Sequence, residues 1–344
     1  MKLVTVSYPL NRSGLCLQHS HSLICRRSLA QRRYLNTLHA VESSDIVKVA
    51  VSQFPSAAPG RFINDNTAFV QQFPVRGYEV APNQRASMVT IANLLQELAG
   101  NHAVGMWGRA EEGFASLPNA PDIIFVMTRL QIRMNEYPKW GDILELQTYF
   151  TDDGRLAARR DWLISDTASG KQIGSATSTW VNINMRTRKL TKLPEDLKIH
   201  FMRFADPQGR MSIPVEETKK KIPDLDADLQ VEGPSQVARR SDMDMNSHIN
   251  NVVYLGWGLE SVPVDVYDGY ELYEMEVDFK AECQAGDTVK SLIQPITHNS
   301  GSPEGNGASG TKHFLHMLLK DGSSTHASSE LVRARTSWKK QVEL

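Results

Sequence analysis

The feature that most constrains this chain is a duplication. Residues 87–99, "SMVTIANLLQELA", put Met88, Ile91, Leu94, Leu95 and Leu98 on one helical stripe, with Ser87 placed as an N-cap. Four strand-like segments follow, at 123–134, 143–150, 159–166 and 175–184, divided by turn residues such as "TDDG" and "DTASGK". The order then recurs. Residues 249–262 predict a second helix, with Ile249, Val252, Val253, Gly256 and Leu259 on a shared stripe, and strands follow at 272–283, 288–296, 312–321 and 325–336. Gly141–Asp142 opens a strand in the first half, and Gly286–Asp287 opens its counterpart. One helix and an antiparallel meander, given twice, predict an α+β fold. Each helix covers the apolar face of its own sheet.

The 344 residues leave room for two such units. Formal charge is −1, from 38 basic and 39 acidic residues, so no basic excess points to nucleic acid. No run of 18 apolar residues occurs, so no helix is expected to span a membrane. Three cysteines are too few for a disulfide framework. Charge is unevenly placed, however. Residues 1–41 hold Lys2, Arg12, Arg26, Arg27, Arg32 and Arg33, many serines and no acid, which is the composition of an organelle transit peptide. Composition alone leaves chloroplast and mitochondrion open. Residues 42–66, with "FPSAAPG", predict a linker. The first unit is then 67–198, a connector 199–235, and the second unit 236–340, with a flexible Gly-rich loop at 299–310.

Chemistry concentrates before the second helix, in "SDMDMNSHINN". Asp244, Asn246 and His248 are spaced i, i+2, i+4, so in an extended segment they point one way while Met243 and Met245 point the other. The unpaired amides at the helix start, around Asn250 and Asn251, suit a developing oxyanion. That layout fits acyl transfer. The plainer alternative makes Asp244 or Asn246 a cap and His248 a surface histidine. Glu282–Cys283 adds a candidate base and a candidate nucleophile. Cys283 shares strand parity with Met275, Val277 and Phe279, which favours a buried thiol and leaves Glu282 as the favoured catalytic group. The histidines lack metal-ligand spacing, so no metal is expected.

The stretch "RRSDMDMNSHINNVVYLGWGLESVP", followed by "FKAEC", resembles the catalytic half of plant and algal acyl–acyl carrier protein thioesterases. "VMTRLQIRMNEYPKWGDILELQTYF" and "TSTWVNINMRTRKLTKLPED" follow the family's first half, so the resemblance covers residues 69–340. It implies a tandem double hotdog, with two antiparallel sheets each wrapped around a long central helix. The implied activity is hydrolysis of long-chain fatty acyl–carrier protein in the plastid stroma of the chloroplast, without a cofactor. Matched positions make Asp244, Asn246, His248 and Glu282 catalytic; Cys283 matches a cysteine assigned as nucleophile in an alternative thiol scheme. The first half shapes the acyl pocket in the family. Met88, Ile91, Leu95, Met106 and Trp107 are candidates to line it, and each could instead be plain core. "NHAVGMW" in that half offers Asn101 and His102 without a companion acid. Carrier protein is acidic, so Arg186, Arg188, Lys189, Lys192 and Lys219–Lys220–Lys221 are docking candidates. A homodimer is compatible with the fold. Two departures are the 299–310 loop and an N-terminus without the hydrophobic anchor of some saturated-chain members. Competing readings are an acyl-CoA thioesterase, a hotdog dehydratase and a non-catalytic acyl-binding module.

Overall fold

The computed structural model describes residues 59–107, 120, 122–154, 156–245, 247–296, 310–322 and 328–341, with Trp107 described by its backbone alone. All of them fall within one compact unit, Ala50–Leu344. The expected transit segment, most of the expected linker, nearly all of the 299–310 loop and Asn246 lie outside the described residues.

In the first half, β1 (Arg61–Ile63) and β2 (Ala68–Pro74) precede helix α1 (Met88–Trp107). Then come β3 (Ile123–Met134), β4 (Ile143–Asp152), β5 (Ala157–Asp166) and β6 (Gln172–Asn184), with short β7 (Lys189–Leu190) folding back on β6. The connector carries α2 (Glu195–Met202) and α3 (Val215–Thr218) and ends near β8 (Val231–Glu232) and β9 (Gln236–Val237). The second half has α4 (Asn251–Leu259), α5 (Val264–Gly269), β10 (Tyr270–Phe279), β11 (Thr288–Pro295), β12 (Thr311–Lys320) and β13 (Ser329–Lys340).

The sheet order is β1-β2-β4-β5-β6-β3-β10-β13-β12-β11-β8. It reads as a palindrome about β3–β10, with β6 matching β13, β5 matching β12 and β4 matching β11. The duplication therefore stands as expected, each half curling around one helix, but neither half is a simple four-strand meander: the first strand, β3 or β10, pairs with the last, β6 or β13, and only the other three run in sequence. The two sheets, however, are one: β3 and β10 pair edge to edge from Arg129–Asp278 to Arg133–Glu274. The second helix is also shorter than expected. Asn250 caps it, its Oδ1 accepting the Val252 N–H at 3.0 Å, so Ile249 lies outside it. Pro263 then starts α5 as a separate piece. β1 falls inside the span expected to be linker and pairs with β2.

Burial follows the helical stripes. Met88, Ile91, Leu94, Leu95 and Leu98 of α1 are all buried, packed in one core with Ile132, Leu144, Trp162 and Ile164. On α4, Val252, Leu255 and Leu259 are buried in the same cluster as Met275, Val277 and Val332. Each such side chain contributes about 1.5–3 kcal/mol on leaving water. The outer face of the β3–β10 seam is covered as well, because the connector crosses it. Ile213 and Ile222 of the connector are fully buried. The Arg129 guanidinium donates to the Lys220 carbonyl at 2.8 Å, and Arg133 pairs with Glu217 at 2.8 Å. Beneath this cover Glu276 bridges Arg129 at 2.8 Å and Arg335 at 2.5 Å. On the polar parity of β10, Glu276 is thus buried and ion-paired, and Glu274 and Asp278 are half-buried partners of Arg133 and Arg129.

Candidate active site

The segment before α4 is a clasp rather than an extended strand. Asp242 Oδ2 accepts the Arg239 N–H at 2.7 Å, and Asp242 O accepts the Asn250 N–H at 2.9 Å. Inside that clasp Asp244 N–H donates to His248 O at 2.8 Å, and Ser247 N–H donates to Asp244 O at 3.1 Å. Ser247 has φ +61°, a left-handed conformation that reverses the chain. Asp244 and His248 consequently face each other across a turn. The expected i, i+2, i+4 alignment along one extended face does not form, because an extended segment has no residue in the left-handed region. The His248 N–H lies 3.3 Å from Asp244 Oδ1.

β10 ends at Phe279, so Glu282 and Cys283 lie beyond the strand in which they were expected. Beyond it they part company as parity suggests. Glu282 is exposed and Cys283 is fully buried. Glu282 Oε2 lies 3.4 Å from His248 Nε2, which brings together the imidazole and the carboxylate singled out in the sequence. Free-state catalytic contacts of this length commonly tighten when substrate binds. Cys283 Sγ instead lies 3.4 Å from Tyr254 Oη, which also accepts the Cys283 N–H at 3.1 Å. Burial pushes the Cys283 thiol and the Tyr254 phenol up, so both are held neutral. A thiolate is disfavoured where Cys283 sits.

Of the amides at the start of α4, that of Asn250 is spent on Asp242 O and that of Val252 on the Asn250 side chain. The Asn251 N–H has no such partner among the described residues. A cleft of about 400 Å³ opens beside this helix start, between α1 and α4. It is lined by Val89 and Asn93 of α1 and by Asn250, Val253, Gly256 and Trp257 of the second half. Met88, Ile91, Leu95 and Met106, considered for an acyl pocket, are instead packed in the core and do not line this cleft. The Trp107 side chain lies outside the described residues. Among the described residues no group of three His, Cys, Asp or Glu side chains is placed to hold a metal ion.

The first half holds a relic of the same construction, missed in the sequence. Its position is Ala81–Arg85, not Asn101–His102. Ala81 N–H donates to Arg85 O at 2.9 Å, Gln84 N–H donates to Ala81 O at 2.8 Å, and Gln84 has φ +62°. Register from the capping residues Ser87 and Asn250 sets Ala81, Asn83 and Arg85 against Asp244, Asn246 and His248. The turn Lys139–Asp142 likewise repeats Gln284–Asp287, with a 2.7 Å bond from the first N–H to the last carboxylate in each, which sets Tyr137 against Glu282. Acid, imidazole and base are thus all replaced in the first half. Its His102 is buried, with Nδ1 2.9 Å from the Arg160 guanidinium, and burial lowers its pKa well below the usual range.

Among the docking candidates, Arg188 belongs to the site itself: its Nη2 lies 2.8 Å from Glu282 Oε1. Arg186 pairs with Asp122 at 2.8 Å, and Lys219 with Asp153 at 3.5 Å. Lys189, Lys192 and Lys220 are exposed.

Residues 66–201 match the family model for the acyl-ACP thioesterase N-terminal domain, and residues 230–340 match that for the acyl-ACP thioesterase C-terminal domain. The chain is 36% identical to chloroplastic oleoyl-acyl carrier protein thioesterase 1 of Arabidopsis thaliana, over 96% of both proteins. It is 38% identical to the chloroplastic palmitoyl-acyl carrier protein thioesterase of Arabidopsis thaliana, over 81% of this chain and 66% of that one. The solved 12:0-ACP thioesterase from Umbellularia californica superposes with a TM-score of 0.69 at 27% identity, covering 81% of this chain and 96% of that chain.

Proposed function

This chain belongs to the acyl-ACP thioesterase family, and on that premise we propose that it releases free long-chain fatty acid from acyl–acyl carrier protein in the chloroplast. The observation that carries the mechanism is the 3.4 Å approach of His248 Nε2 to Glu282 Oε2 beside the start of α4. Glu282, aided by His248, takes a proton from water as the water oxygen bonds to the thioester carbon. Asn251 N–H faces the developing oxyanion with the positive end of the helix behind it. The C–S bond then breaks, and the proton returns to the departing thiol of the phosphopantetheine arm. Asp244 and Asn246 orient the histidine and the water. Cys283 is left out of this chemistry, since its neutral thiol is engaged with Tyr254.

Long-chain preference is supported by relatives named for oleoyl and palmitoyl substrates. Each methylene held in an apolar pocket adds about 0.8 kcal/mol, so several residues must share the selection. The exposed Arg186, Lys189 and Lys192 border the turn that carries Arg188 to Glu282, which makes this rim the favoured landing surface for an acidic carrier protein. Such docking predicts a Michaelis constant that rises as salt is raised.

The test is a panel of acyl–carrier proteins of graded length, scored for released fatty acid. Free acid from sixteen- and eighteen-carbon substrates is expected. Enoyl product, or binding without turnover, would overturn the hydrolase reading.

A further inference from the structure

We propose that Arg188, contributed by the first half, is the positioning residue that holds Glu282 in its working orientation. This rests on the hydrolase reading above. The two oxygens of Glu282 are divided between the halves: Oε1 takes Arg188 Nη2 at 2.8 Å, and Oε2 faces His248 Nε2 at 3.4 Å. Glu282 needs such a hold. It lies past the end of β10, and its side chain is well exposed rather than packed.

The turn bearing Arg188 is built to make the reach. Asn184 Oδ1 accepts the N–H groups of Arg186 at 3.1 Å and Thr187 at 2.9 Å, and Asn184 O accepts the Arg188 N–H at 2.8 Å. Arg188 closes this hairpin with φ +56°, where glycine or asparagine is the unstrained choice. An arginine here carries backbone strain that a glycine would not. The guanidinium at this position therefore comes at the expense of local stability, which points to a role beyond turn formation. In the relic site the residue matching Glu282 is Tyr137, which needs no cation and donates its hydroxyl proton to Leu272 O at 2.6 Å.

A positioning role and a docking role separate in kinetics. Misplacing a catalytic group by about 1 Å costs on the order of 100-fold in turnover. Steady-state assays on oleoyl–carrier protein should show Arg188→Met lowering kcat about 10- to 100-fold with the Michaelis constant nearly unchanged. Arg188→Lys should recover part of that loss, since an ammonium supplies the charge without the planar fork. In a Glu282→Gln background Arg188→Met should add little, because the group it positions is already gone. Lys171→Met, which breaks an exposed ion pair of 2.8 Å at the other end of β6, should leave both constants unchanged. A raised Michaelis constant with kcat intact would overturn the proposal in favour of docking. So would an Arg188→Met loss of full size in the Glu282→Gln background. Wild-type protein that releases no fatty acid would instead overturn the hydrolase reading itself.

Discussion

At the scale of single residues, the two neighbours Glu282 and Cys283 have opposite fates, and their substitutions should too. Glu282→Gln keeps the shape and removes the base, so kcat should fall at least about 100-fold. Cys283→Ala removes a buried thiol in contact with Tyr254, and its effect should appear as about 1 kcal/mol of lost stability with kcat preserved. Fatty acid release by the two purified variants decides between the water and thiol mechanisms. A second residue-scale prediction concerns His316, buried with Nε2 2.8 Å from Thr336 Oγ1. Burial lowers its pKa to about 4, whereas in the unfolded chain it titrates near 6.5. The unfolded state therefore takes up a proton first, and stability present above about pH 6.5 is lost as the pH falls toward 4, by about 3 kcal/mol. Urea titrations across that range should show His316→Asn narrowing its gap to wild type as the pH drops.

At the scale of elements, strands were legible because alternation is a strong signal wherever one face is buried. Strand β3 runs over the 123–134 span read from its apolar pattern. β1, β8 and β9, of two or three residues each, carry no period to detect. The clasp at 242–250 was illegible for a different reason: its shape depends on Ser247 taking a left-handed φ of +61°, which a serine does not announce. Arg188 reads as a docking residue in sequence because an exposed charge looks the same whether it meets solvent or a carboxylate ninety-four residues away. The relic Ala81–Arg85 loop is legible only by aligning the caps Ser87 and Asn250, because it holds no histidine to match His248. The turn after Cys283 gives this scale its own prediction. Gly286 has φ +97°, and its N–H donates to Ala238 O at 2.8 Å. Gly286→Ala should cost about 1–2 kcal/mol in chemical denaturation. It should also depress kcat, because this turn anchors the segment that carries Glu282.

At the scale of the molecule, the question is whether the two halves are separable. Their matching folds suggest two domains, but the sheet does not stop between them. β3 pairs with β10, and separating the halves would bare an edge on each. The seam also encloses charge. Glu276 is 3% exposed and bridges Arg129 and Arg335. Arg129 keeps Asp278 at 2.8 Å if Glu276 is removed, but Arg335 keeps no carboxylate among the described ion pairs. Glu276→Ala should therefore destabilise by about 2 kcal/mol, the cost of leaving the half-buried Arg335 cation without its carboxylate. Glu136→Ala, breaking the exposed pair with Lys171, should cost no more than about 1 kcal/mol. Because the ladder is continuous, the loss should fall on both halves together. Trp162 of the first half and Trp338 of the second are both buried, so fluorescence from variants retaining one or the other reports each half. A single shared urea midpoint, shifted down in Glu276→Ala, is expected. Two separate transitions in the wild type would mean that the seam is a contact between domains and not the middle of one sheet.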